Sequence, residues 1–154
     1  MNFWIEVTSG MRWDRLLREG IALEAPDRPR YRHFFEGVKS GDFVLHYLTA
    51  SLTSQKEQRS SVVGVSRVAS DPTVVGKKVV AGCSDTLKFS KPVSYNELLG
   101  LKRKSPLLSR LVGCHMQRYL TQISRSDVES ILGVHPANMR RFSKSRLARQ
   151  IKRA

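Results

Sequence analysis

Five short runs rich in aromatic and β-branched residues limit what this chain can fold into: Phe3–Thr8, Phe43–Leu48, Val62–Val68, Lys77–Phe89 and Met116–Ile123. Runs of this kind read as strands. Val38-Lys39-Ser40-Gly41-Asp42 and Asp71-Pro72 supply turn or breaker chemistry between them. Ser9 caps a helix in which Trp13, Leu16 and Leu17 form one apolar face, and Gly20 ends it. The capping boxes Ser94/Glu97 and Ser124/Asp127 open two more helices, packed by Leu98, Leu99 and Leu101 and by Val128, Ile131 and Leu132. A further short helix is expected over Leu107–Val112, after Ser105-Pro106. Ala25–Arg32 holds two prolines and reads as extended and solvated, and Thr49–Ser61 as a mobile loop. Gly64, inside a strand, marks a bulge or a close backbone approach. This order of elements predicts an α+β fold: a mixed, mainly antiparallel sheet curled into a small β-barrel and surrounded by helices.

The 154 residues suit one domain, and 40% hydrophobic content supports a core. No apolar run approaches the ~20 residues of a membrane-spanning helix. The first ten residues lack the pattern of a signal peptide. Cys83 and Cys114 form neither a disulfide framework nor a Cys-x-x-Cys pair. A soluble cytoplasmic protein is therefore expected. Its 27 Lys and Arg against 13 Asp and Glu leave a net charge of +14, a field that concentrates polyanions, so nucleic acid is the expected partner, with anionic lipid or an acidic protein as the alternative. From Arg140 to Ala154 seven residues are basic and none acidic, while Met139, Phe142, Leu147 and Ile151 fall at roughly helical spacing. That segment reads as a basic amphipathic helix or a tail that orders on its partner. A division into residues 1–133 and a basic C-terminal tail 134–154 follows. Phosphate contacts are assigned to Arg28, Arg30, Arg32, Lys56, Arg59, Lys102, Arg103, Lys104 and Arg118, and in the tail to Arg140, Arg141, Lys144, Arg146 and Arg149.

Catalysis is not expected. The acids are scattered, and no Gly-x-Ser-x-Gly elbow, phosphate-cradling Gly-rich loop or His-Glu-x-x-His occurs. Cys114 and His115 are neighbours on an expected strand and would face opposite ways. His33, His46, His115 and His135 have no ligand spacing, so neither metal nor cofactor is expected. His46, within an apolar strand, is either a satisfied core histidine or the hydrogen-bonding wall of a pocket. Base readers hold an extruded base between aromatic rings and read its edge with polar groups. Trp4, Trp13, Tyr31, Phe34, Phe35, Tyr47 and Tyr119 supply rings, and Thr8 and Ser9 supply edge readers, although Trp4, Trp13 and Phe34 also suit a core.

The opening Asn2-Phe3-Trp4-Ile5-Glu6-Val7-Thr8-Ser9 with Trp13-Asp14-x-Leu16 resembles the start of the EVE domain, a PUA-like barrel related to the YTH domain. Lys39-Ser40-Gly41-Asp42 leading into Phe43–Tyr47, Val63–Pro72, Phe89–Leu98 and Met116–Leu132 resemble its later segments in order, so the likeness spans residues 1 to about 133. The resemblance implies non-catalytic recognition of a flipped, modified base in RNA or DNA, with RNA favoured. It implies a pocket formed by Thr8, Ser9, Ala22, Leu23 and Tyr47, to which the reading above adds Trp13, Phe34 and His46. Where relatives place a cage Trp, this chain reads Gly20-Ile21-Ala22-Leu23, so Phe34 or Tyr31 would have to fill the gap. The alternatives are an enzyme acting on a modified base or nucleotide on the same fold, and a ribosome- or RNA-associated protein that binds through its tail.

Overall fold

Alternation along β1 (Phe3–Thr8) and β3 (Phe43–Leu48) builds the centre of the molecule. The computed structural model describes residues 1–50, 55–106, 108, 109, 116 and 119–151. Around those two strands the chain forms α1 (Gly10–Glu19), β2 (Ile21–Pro26), α2 (Pro29–Phe35), β4 (Ser61–Val68), β5 (Thr73–Val75), β6 (Lys78–Ser94), α3 (Tyr95–Leu101), β7 (Leu120–Ile123), α4 (Arg125–Gly133), α5 (Pro136–Lys144) and α6 (Arg146–Ile151). The strands lie in the order β2-β6-β4-β3-β1-β7, with β5 added to β6. β1 and β3 pair in parallel and the other pairs are antiparallel. This is the α+β fold with a mixed, mainly antiparallel sheet that the sequence predicts. β6 curls the sheet: its register against β4 shifts twice, and Asp85 sits at the first skip with φ 50. Asp tolerates that left-handed conformation, and such bulges bend a strand.

β1, β3 and β4 are buried on both faces. Phe3, Ile5, Phe43, Leu45, Tyr47, Val62 and Val65 meet Val128, Ile131, Leu132, Leu147 and Ile151 of α4 and α6 on one face. Trp4, Val44, Leu48 and Val63 meet Trp13 and Leu16 of α1, Leu23 of β2 and Phe35 of α2 on the other. The turn before β3 is held by Asp42, whose carboxylate accepts from the Asn2 backbone N–H (2.7 Å), the Lys39 N–H (3.0 Å) and the Trp4 indole (2.9 Å).

The caps form as the sequence predicts. Ser9 accepts from the Arg12 N–H, Gly20 adopts φ 71 at the end of α1, and both capping boxes are complete. Other expectations are corrected. Pro29 opens helix α2 rather than holding residues 25–32 extended, since proline suits the first helical turn, where its missing N–H costs nothing. Residues 21–26 form a strand that only pairing with β6 reveals. Leu17 is 44% exposed, so the apolar face of α1 is Trp13 and Leu16. The last strand is only Leu120–Ile123, and Met116 lies in a turn at φ 55. The expected helix over 107–112, the pair Cys114-His115 and residues 51–54 of the expected loop fall mostly or wholly outside the described residues. Residues 136–151 form two short helices whose Met139, Phe142, Leu147 and Ile151 join the core.

Gly64 meets the close approach expected of it: a Cβ there would lie 2.5 Å from the Trp13 ring and 2.7 Å from the Leu87 carbonyl oxygen. Gly64→Ala is expected to cost about 1–3 kcal/mol by overpacking, read as a lower urea midpoint with an unchanged slope. A second expectation concerns Glu97. Burial pushes its carboxyl up, but hydrogen bonds from the Ser94 N–H and hydroxyl, with the His135 imidazole 3.1 Å away, outweigh this and hold it below the usual range. The stability it adds is present above the unfolded value and lost as pH falls through the folded one. Acid melts of the protein and of Glu97→Gln should therefore converge at low pH and diverge toward neutrality.

Candidate functional site

On the face of the central strands turned toward α1, four polar side chains interrupt the apolar pattern: Glu6 and Thr8 of β1, His46 of β3 and Ser66 of β4, all buried. Pairing sets Glu6 beside His46 and His46 beside Gly64, with Ser66 two residues further along β4 and Thr8 two further along β1 on the same face. His46, with no exposed surface, shares one hydrogen bond through Nδ1 with Glu6 Oε1 (2.5 Å) and another through Nε2 with Ser66 Oγ (2.6 Å). Ser66 continues the chain to Thr86 Oγ1 at 2.9 Å. The Trp13 ring covers this row, its centroid 5.1 Å from that of His46, in the space left by Gly64. Buried polar atoms normally find partners. Here Glu6 Oε2, Thr8 Oγ1 and Trp13 Nε1 have none among the described residues. An acceptor, a hydroxyl and an N–H donor are thus left unspent around one interior.

The Glu6 carboxylate reaches other groups in this interior. Burial first, and the Glu6 charge second, push the Cys83 thiol well above its ordinary value, so Cys83 is an unreactive wall. Tyr119 is raised in the same way. Its hydroxyl donates to the Glu24 carbonyl (2.9 Å) and accepts from the Glu24 N–H (3.0 Å), closing the interior beside β2.

Of the eight expected pocket residues, Thr8, Trp13, Leu23 and His46 face this interior. Ser9 spends its side chain on the α1 cap. Tyr47 packs in the opposite core, because successive strand residues alternate. Phe34 stands outside with Tyr31, 6.5 Å away, and Tyr119, 6.3 Å away, and lines an open groove of about 530 Å³ with Trp4, Leu120 and Gln122. The side chain of Ala22 lies outside the described residues, as do that of Lys104 and all of Arg118. Glu6 and Ser66 were missed. The signal was available, since a Glu inside Phe3–Thr8 and a Ser inside Val62–Val68 are polar where the strands are otherwise apolar.

The expected phosphate contacts are scattered over the surface. Arg28, Arg30, Lys56, Arg59, Lys102 and Arg103 are exposed, with Arg30 lying 5.7 Å over the Tyr31 ring. Arg32 is held by Asp27. Arg140, Arg141, Lys144, Arg146 and Arg149 are exposed on α5 and α6. Among the described residues no group of three or more His, Cys, Asp or Glu could hold a metal ion.

No protein-family model matches this sequence, and no curated protein matches it. Solved structures share the fold. The human THYN1 protein, in complex with DNA containing 5-methylcytosine, superposes with a TM-score of 0.62 at 10% identity, over 87% of this chain and 97% of that one. Rpa0253 from Rhodopseudomonas palustris gives 0.61 at 11%, over 87% and 92%. The N-terminal domain of Staphylothermus marinus McrB gives 0.54 at 13%, over 84% and 92%.

The buried row carries a stability expectation. His46→Leu leaves Glu6 without its partner and Ser66 with Thr86 alone, and should cost about 3–5 kcal/mol. The double change Glu6→Leu with His46→Leu should cost less than the single one, because no buried charge is stranded. A denaturant cycle over the four proteins measures the difference.

Proposed function

We propose that this protein is a non-catalytic nucleic-acid-binding protein that takes one extruded base into the interior beneath Trp13. The observation that carries this reading is the unspent set Glu6 Oε2, Thr8 Oγ1 and Trp13 Nε1, buried on one face of the sheet and without a hydrogen-bond partner among the described residues. An acceptor beside a donor, with a hydroxyl that can be either, fits a heterocycle carrying an amino group next to a ring acceptor, as in adenine or cytosine. The base lies edge-on to the Trp13 indole, whose Nε1–H donates to its ring acceptor, so that Trp13 supplies a hydrogen bond rather than a stacking face. The net charge of +14 and the fold shared with a protein solved on methylcytosine-containing DNA support the reading. RNA is the favoured polymer and the base is a modified one. Arg28, Arg30, Arg59, Lys102 and Arg103 meet its phosphates.

A second reading, an enzyme on the same fold, is favoured by one observation: Ser66, His46 and Glu6 are joined in the order of a nucleophile, a base and its orienting acid. It ranks second because Ser66 has no exposed surface and also bonds Thr86. Labelling by a fluorophosphonate that disappears in Ser66→Ala would establish it.

The binding reading is tested by anisotropy titration against single strands differing only in one central base. Affinity should fall steeply with salt, with a log–log slope of about −0.7 per phosphate contact. Thr8→Val should abolish preference between bases while keeping that slope. Salt-independent binding, or a base preference untouched by Thr8→Val, would count against the proposal.

A further inference from the structure

The cations of the C-terminal helices lie on the side of the sheet away from Trp13. α5 and α6 pack on the core formed by Phe3, Ile5, Leu45 and Val65, whereas Trp13 and Leu23 belong to the core on the other face. The helices are anchored rather than draped. Asn138, with 1% of its surface exposed, accepts from the backbone N–H groups of Ser90 (3.0 Å) and Lys91 (3.3 Å) and donates to the Lys91 carbonyl (2.7 Å). Arg141 donates to the Ser90 hydroxyl at 3.1 Å. Leu147 and Ile151 are buried beneath α6. The outer surface of this frame carries Arg140, Arg141, Lys144, Arg149 and the exposed Lys91, none of them ion-paired among the described residues. Arg146 alone has an acid close by, Asp85 at 3.7 Å. Residues 136–151 contain no acidic side chain.

We infer that this surface is a second, separate contact for a nucleic-acid backbone, so that the protein grips two segments of one strand: a base on the Trp13 side and phosphates on the α5 face. The inference rests on the proposed reading of the interior for its first contact only. A cationic frame whose own helices carry no acid and whose single ring, Phe142, is half-buried suits phosphates and carries no base preference. A strand long enough to reach both sides gains through effective concentration, a strand that reaches only one does not, and linked contacts of this kind raise affinity by about 10²–10⁴.

The test compares oligonucleotides of about 5 and about 30 nucleotides carrying the same target base. The binding proteins are the full chain, Arg140→Gln/Arg141→Gln/Lys144→Gln, and the charge-matched control Arg18→Gln/Lys39→Gln/Lys77→Gln. The full chain and the control should bind the long strand at least about tenfold tighter than the short one. The α5 variant should lose that gain, keep short-strand affinity within about twofold, and show a long-strand salt slope shallower by about 2. Equal weakening of both lengths by the α5 variant would mean one continuous site and overturn the inference. So would an unchanged length gain, or binding of the α5 face to phosphatidylserine vesicles with no length gain on oligonucleotides. Thr8→Val separates the two proposals: if it leaves base preference intact while the length gain follows α5, the reading of the interior fails and the second contact stands.

Discussion

Burial of β1, β3 and β4 on both faces is the constraint on which the rest of the structure depends. A strand covered on one side can turn its polar residues to water, but a strand covered on both cannot. Each polar side chain in this block must be satisfied inside the protein or carry the cost of its desolvation, about 1–3 kcal/mol for a neutral group and more for a charge. Glu6, His46, Ser66 and Thr86 meet the requirement by bonding to one another in sequence across four strands. Three atoms on this face, Glu6 Oε2, Thr8 Oγ1 and Trp13 Nε1, are left over among the described residues and are then expensive.

The same constraint makes the two faces of the sheet unlike. The face toward α1 holds buried directional groups. The face toward α4 to α6 is filled with apolar side chains and has cations only at its outer surface, where solvent and salt screen them and no single pair is worth much. The buried polar row and the cations of α5 and α6 therefore lie on opposite sides of one sheet. Asp42 fixes how the central strands start, binding the chain terminus, the β3 turn and the Trp4 indole through one carboxylate.

Where the sequence misled, a longer-range effect had overruled a local rule or the local rule admitted two outcomes. Pro29 is compatible with an extended chain and with the first turn of a helix, and the packing of Phe35 chose the helix. Leu17 completes an apolar stripe on paper, but the sheet reaches only as far as Trp13 and Leu16. β2 carries too little alternation to be recognised before β6 lies beside it. His46 was legible as exceptional, yet its partner Glu6 lies forty residues away and could not be named.

By itself the sequence determined the net charge of +14 and the features that act over a few residues: the strands β1, β3 and β4, the caps at Ser9, Ser94 and Ser124, and the close approach at Gly64. Only the tertiary structure decided which polar side chains meet, which are left without partners, and that the basic C-terminal segment sits behind the sheet rather than beside Trp13. Caps and alternation are satisfied within one element, whereas a hydrogen-bonded row and the two sides of a sheet exist only once strands distant in the chain are in register.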